Sequence, residues 1–135
     1  MNEDAVKNWL MKANNDLKTA KDEIVTDEPA TDTVCFHAQQ YVEKSLKAFL
    51  IYNGKEIKRI HDIAVLIREC TEIDEDFNQL FKIEADKLTD YAIEIRYSEE
   101  FYIPSIDEAK DAIEIAERVK YFILGKLKNK GFENA

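Results

Sequence analysis

The sequence predicts an all-α fold, an up-and-down bundle of about five helices, and three observations carry that expectation. Only three Gly and two Pro fall in 135 residues, 35% of which are charged, a balance that suits helices better than turn-rich sheets. Apolar residues recur at spacings of three and four along most of the chain. The connections between these periodic stretches are short and rich in turn and cap formers, which favours antiparallel neighbours. The length fits one domain, residues 1–135 with a core of about 5–127, and no repeat, low-complexity stretch or linker divides it.

The first helix is expected from about Asp4 to Val25, with Val6, Leu10, Ala13, Leu17, Ala20 and Ile24 on one stripe and Trp9 beside it. Thr26 to Thr33 collects turn and cap formers around Pro29 and reads as a loop that delivers an N-cap near Thr33. A second helix, about Thr33 to Asn53, puts Cys35, Ala38, Val42, Leu46 and Phe49 on one face and ends at Asn53-Gly54. His37, Gln40, Lys44 and Lys47 form its opposite face. A short third helix starts near His61 or Asp62, contains Ile63, Leu66, Ile67 and Cys70, and ends by Thr71. Asp74 can cap a fourth, in which Phe77, Leu80, Phe81, Leu88, Tyr91, Ala92 and Ile95 recur up to Arg96 or Tyr97. Ser105 to Glu108 is a capping box opening a last helix with Ala109, Ala112, Ile113, Ala116, Val119, Ile123 and Leu127 inward, and the end from Gly131 is expected to fray.

A formal net charge of −9 argues against general coating of nucleic acid and leaves only a local basic patch for any phosphate contact. Cys35 and Cys70 stand singly among apolar residues, the pattern of buried free thiols in a reducing compartment. No strictly apolar run is longer than Ala48 to Tyr52, too short for a signal core or a membrane span, so the expectation is a cytoplasmic protein with no membrane contact. The two His and two Cys lack the paired spacing of a zinc set, Asn53-Gly54-Lys55 is no phosphate-binding loop, and neither a cofactor nor a metal is expected.

Two polar clusters stand out. The His37, Gln40, Lys44, Lys47 stripe is either a solvated face or a donor-rich surface for an anion or a partner. The segment Tyr91 to Tyr102 sets Arg96 among three Tyr, one Phe and three Glu, where the Arg either holds a phosphate or a base, or is knotted to Glu99 or Glu100. His61-Asp62 reads as a helix cap rather than as an acid–base pair, since no nucleophile lies near it in the sequence.

The stretch from Val34 to Gly54, with its Phe-His-Ala-Gln-Gln, Glu-Lys and Lys-Ala pattern, followed by Arg59-Ile-His-Asp-Ile63 and by Tyr91 to Tyr97, resembles small prokaryotic members of the HEPN family. That resemblance covers about Ala5 to Leu127 and implies a helical bundle that dimerises. It implies three functional classes: ribonucleases, toxins paired with minimal nucleotidyltransferases, and noncatalytic modules that bind nucleotide or RNA. Catalytic members of the family carry an Arg followed, after four to six residues, by a His. Here His37 has no Arg before it, Arg59 is too close to His61, and Phe101, Tyr102 and Ile103 stand where a His would follow Arg96. The reading is therefore of a domain without catalytic residues, whose candidate ligand-binding residues are Arg96, Tyr97, Tyr102, His37, Gln40 and Lys44. A homodimer, a minimal nucleotidyltransferase partner in a toxin–antitoxin-like system, and a nucleotide or RNA are the partners it implies. Two alternatives stay open: a ribonuclease with a rearranged site, and a purely structural dimeric module.

Overall fold

A computed structural model of the chain describes residues 2–92 and 102–133, which are helical with no strand among them. Helix α1, Glu3–Ile24, buries Val6, Leu10, Ala13, Leu17 and Ala20 as the periodicity requires, and buries Asp16 with them. Helix α2, Thr31–Tyr52, is the axis of the bundle. It buries Val34, Cys35, Ala38, Val42, Leu46 and Phe49 and also Gln39, Glu43, Ser45 and Lys47, so it is covered on nearly every side.

The start of α2 departs from the expected Thr33 cap. The helix begins two residues earlier, behind Ala30, with no side-chain cap, because Thr31 turns its hydroxyl to the Pro104 carbonyl at 2.7 Å and Glu23 accepts the Ala30 N–H at 2.9 Å. Its other end agrees with expectation. Gly54 takes a left-handed φ of 78°, its N–H returns to the Ile51 carbonyl and that of Lys55 to Leu50, which closes a Schellman motif.

Helix α3, Ile63–Thr71, is capped by Asp62, whose carboxylate accepts the Ala64 N–H at 2.9 Å. Beyond it the expected long fourth helix is absent. Asp74 does cap, but it opens only a 3₁₀ turn, Glu75–Asn78, which leads into a single α turn, α4, at Gln79–Lys82 and then a second 3₁₀ stretch, Ala85–Tyr91. The buried residues explain the break. Phe77, Leu80, Ala85 and Leu88 are spaced three, five and three apart, and a step of five leaves the stripe of one continuous helix. Glu84 absorbs the misfit in a left-handed conformation, φ 64°. The Thr89 hydroxyl then accepts the Ile63 N–H at 3.0 Å, fastening this segment to the start of α3. The proposed end of that helix at Arg96 or Tyr97 lies outside the described residues.

Helix α5, Ile106–Asn129, opens on Ser105, whose hydroxyl accepts the Glu108 N–H at 3.0 Å. Its C-terminus does not fray at Gly131. Gly131 has φ 99°, its N–H and that of Phe132 return to Lys128 and Leu127, and Phe132 is buried with its ring 5.8 Å from that of Tyr52. A Schellman motif with a large apolar residue after its glycine docks the end instead of releasing it.

Cross-contacts set the directions. Asp16 of α1 meets both His37 and Lys44 of α2, and Lys47 lies over Trp9, so α1 and α2 run antiparallel. Thr31 bonds Pro104 at one end of the bundle and the Tyr52 hydroxyl bonds the Lys130 carbonyl at the other, so α2 and α5 run parallel. Phe77 ties the broken segment to both, its ring 4.4 Å from Phe49 and 4.9 Å from Phe122. Because Phe77 is fully buried at this junction, Phe77→Ala is expected to cost about 3–5 kcal/mol in urea unfolding. A loss below about 1 kcal/mol would mean the segment around Phe77 packs only loosely on α2 and α5.

Candidate functional site

Polar side chains gather along the seam where α1 and the connector 53–62 cover α2. Asp16 stands at its centre, with one oxygen 2.7 Å from His37 Nδ1 and the other 2.5 Å from Lys44 Nζ. The Asp16 side chain is 10% exposed, against 25% for His37 and 22% for Lys44, so this ion cluster is largely shielded from water. An ionised carboxylate only accepts, so His37 donates through Nδ1 and keeps Nε2 as its remaining nitrogen.

A second network runs one face further round. Gln40 donates to Gln39 at 2.7 Å, Gln39 donates to Glu43 at 3.0 Å, and Lys47 donates to the other Glu43 oxygen at 3.0 Å. His61 reaches the same carboxylate from the connector, its Nδ1 at 3.2 Å and 3.3 Å from the two oxygens. Gln39 is fully buried, and the side chains of Glu43 and Lys47 are 5% and 6% exposed. The Lys47 ammonium also lies 5.9 Å above the Trp9 ring.

The third cluster lies at the end of the bundle where α2 and α5 begin. Glu108 accepts the hydroxyls of both Tyr91 and Tyr102 beside the buried thiol of Cys35. Burial, and secondarily the Glu108 charge, pushes the Cys35 thiol up to about 12 from its ordinary 9.0. Burial raises Cys70 as well, so both free thiols stay protonated and neither serves as a nucleophile at neutral pH. The Tyr91 phenol is pushed up by burial and then by Glu108, whereas for the exposed Tyr102 the hydrogen bond to Glu108 leads.

Four of the six candidate residues thus fall in three places. His37 and Lys44 meet on Asp16, Gln40 joins the Gln39–Glu43 network, and Tyr102 sits 52% exposed at the start of α5. Arg96 and Tyr97 lie outside the described residues. The sequence reading of a stripe ending in an outward Lys47 is corrected by its burial against Glu43. Sequence reasoning did not single out Asp16, Gln39 or Glu43 as site residues, and it read Glu108 only as part of a capping box. A signal for Asp16 existed, since it falls one turn from both Ala13 and Ala20 on the buried stripe of α1, where a carboxylate needs a partner.

Among the described residues no group of three His, Cys, Asp or Glu could hold a metal ion, and no helix is long and apolar enough to cross a membrane. Buried polar seams between long helices, a broken fourth segment and a docked C-terminus define a compact all-helical bundle of one recognised class. The HEPN domain model matches residues 6–127, and the chain belongs to the HEPN family. Its fold is similar to the crystal structure of ST0689, an archaeal HEPN homologue, with a TM-score of 0.70 at 26% identity over 90% of this chain and 97% of that one. No curated protein matches the chain.

Removing the Asp16 carboxylate strands a shielded ammonium, so Asp16→Ala is expected to cost about 1–3 kcal/mol in urea unfolding, below the range for fully buried pairs because of partial exposure. Lys44→Met, which removes the cation and keeps the stem, should cost less. Equal losses in the two variants would show that Asp16 does not organise the cluster.

Proposed function

We propose that this HEPN domain is a noncatalytic module that binds the phosphates of a nucleotide or RNA and acts as a homodimer. The observation that carries this reading is the placement of the chain's two imidazoles. His37 turns onto Asp16 and His61 onto Glu43, and neither follows an Arg at the spacing that the family's ribonucleases use. Lys44 and Gln40 of the α2 stripe likewise turn donors inward, which favours Arg96, Tyr97 and the half-exposed Tyr102 over that stripe as the proposed ligand-binding residues. Arg supplies a planar donor fork for phosphate, and aromatic rings give a base a stacking surface. With a net charge of −9 elsewhere opposing it, such binding should weaken steeply as salt rises.

Calorimetry with ATP and with short RNAs tests this. Wild-type protein should bind at least one of them, and Arg96→Ala should lower the affinity by roughly tenfold or more. Failure of the wild type to bind any of them would leave recognition of a partner protein, a minimal nucleotidyltransferase in a toxin–antitoxin-like pair, which a pull-down with the neighbouring gene's product examines.

A second reading, a ribonuclease with a rearranged site, is favoured by one feature. His61 is 66% exposed, its Nδ1 is held by a buried carboxylate, and it closes the basic connector Lys55, Lys58, Arg59. Carboxylate orientation of an imidazole is a common arrangement for proton transfer. RNA incubated with the pure protein should remain intact; cleavage abolished by His61→Ala or His37→Ala would replace the binding reading with the enzymatic one.

A further inference from the structure

The connector between α2 and α3 is pinned at both ends and loosely held between them. At its start the Schellman motif returns the Gly54 and Lys55 N–H groups to Ile51 and Leu50. At its finish Asp62 caps α3, and the Thr89 hydroxyl accepts the Ile63 N–H. The stretch 56–61 makes one backbone hydrogen bond among the described residues, from the Ile60 N–H to the Lys58 carbonyl at 2.8 Å. Ile60 packs partly against the core, and the other residues of the stretch are exposed.

Two side chains of this stretch reach the bundle through polar contacts. Lys58 meets Glu69 of α3 at 3.8 Å with its own side chain 67% exposed, and such open pairs contribute little. His61 turns Nδ1 to Glu43 of α2, 3.2 Å and 3.3 Å from the two oxygens. That contact is lopsided, since the His61 side chain is 66% exposed and that of Glu43 only 5%.

The carboxylate does not depend on the imidazole. When His61 leaves, Glu43 keeps Gln39 on one oxygen and Lys47 on the other, each at 3.0 Å, and the imidazole gains water in exchange. Release therefore leaves both groups with partners. Loss of Glu43 itself would be different, because the Lys47 ammonium, 6% exposed, would stay buried without its counter-charge. Release also unwinds no helix, since the bonds that close α2 and open α3 lie on either side of the loose stretch.

We propose that 56–61 is a strap latched to α2 by His61 on Glu43, and that it swings out while the bundle stays folded. Latched, the imidazole faces the buried carboxylate. Released, it stands in water on the same strap as the exposed Lys58 and Arg59. The latch thus governs when the imidazole of the enzymatic reading is free, and it holds whatever the domain binds. Local opening of this kind draws on segments with few buried contacts and few backbone bonds, which describes 56–61.

Limited digestion with trypsin tests it, because Lys58 and Arg59 are cleavage sites within the strap. Wild-type protein should be cut there more slowly than a free peptide of the same sequence. His61→Ala should be cut roughly tenfold faster than the wild type, each relative to its own peptide, as loss of one hydrogen bond to a carboxylate requires. The urea midpoint of unfolding should not change in that variant. Nitrogen NMR of the neutral His61 ring should find its hydrogen on Nδ1, as donation to Glu43 demands. Wild-type cleavage as fast as that of the peptide, no gain in His61→Ala, a gain matched by a lower urea midpoint, or a neutral ring with its hydrogen on Nε2 would each overturn the latch.

Discussion

A helix enclosed by its own bundle has to settle every polar group it carries among its neighbours, and α2 is such a helix. Its apolar positions would suffice for a core, yet Gln39, Glu43, Ser45 and Lys47 are buried with them. Removing two charges from water costs several kcal/mol per ion, and their attraction offsets this only with added hydrogen bonds. Glu43 collects those bonds from Gln39, Lys47 and His61, and Ser45 donates to the Val42 carbonyl within its own helix. Tyr41 is the exception: its buried hydroxyl has no hydrogen-bond partner among the described residues.

Such a network adds little stability over apolar residues of the same shape, so its physical consequence is register. Asp16 fixes the level of α1 against α2 through two partners a full two turns apart on the latter, His37 and Lys44. Glu43 fixes the connector 53–62 through His61. A slide of either element by one helical turn would strand a charge in the seam, whereas the smooth stripes of Ala and Leu would accept it. Both imidazoles thus turn Nδ1 to carboxylates of the bundle, and Lys44 and Gln40 of the α2 stripe turn donors inward in the same way.

Most of the architecture was legible in the chain because long amphipathic helices announce themselves by period, and the stripes of α1 and α5 and the Asp62 and Ser105 caps were found where the residues put them. The misses share a cause. Thr31 gave up capping for a contact with Pro104, 73 residues away, and Phe132 docks on Tyr52 after a turn that local chemistry marks only as a helix end. The fourth segment looked helical since Phe77, Leu80 and Leu88 fit a helical stripe, and only the packing of Ala85, a weak apolar signal, reveals the step of five. For the site, an i, i+4 Glu43–Lys47 pair looks identical in sequence to surface charges, and only the position of Asp16 on the stripe of α1 hinted at its burial. Burial is a tertiary fact, and it decides which charges are structural.

The two ends of the bundle then differ in kind. At the C-terminal ends of α2 and α5, two Schellman motifs, the Tyr52–Lys130 bond and the Tyr52–Phe132 contact close the structure with backbone bonds satisfied. The opposite end holds the N-termini of both helices, whose dipoles favour negative charge. Asp32, Asp107 and Glu108 answer that field, but Glu108 is itself occupied by Tyr91 and Tyr102. The carboxylate that accepts both phenols stands at the helix start, with the Tyr102 ring half-exposed and the Tyr91 ring packed against the core. Two helix N-termini thus favour an anion at the end of the bundle where Tyr91 and Tyr102 meet on Glu108.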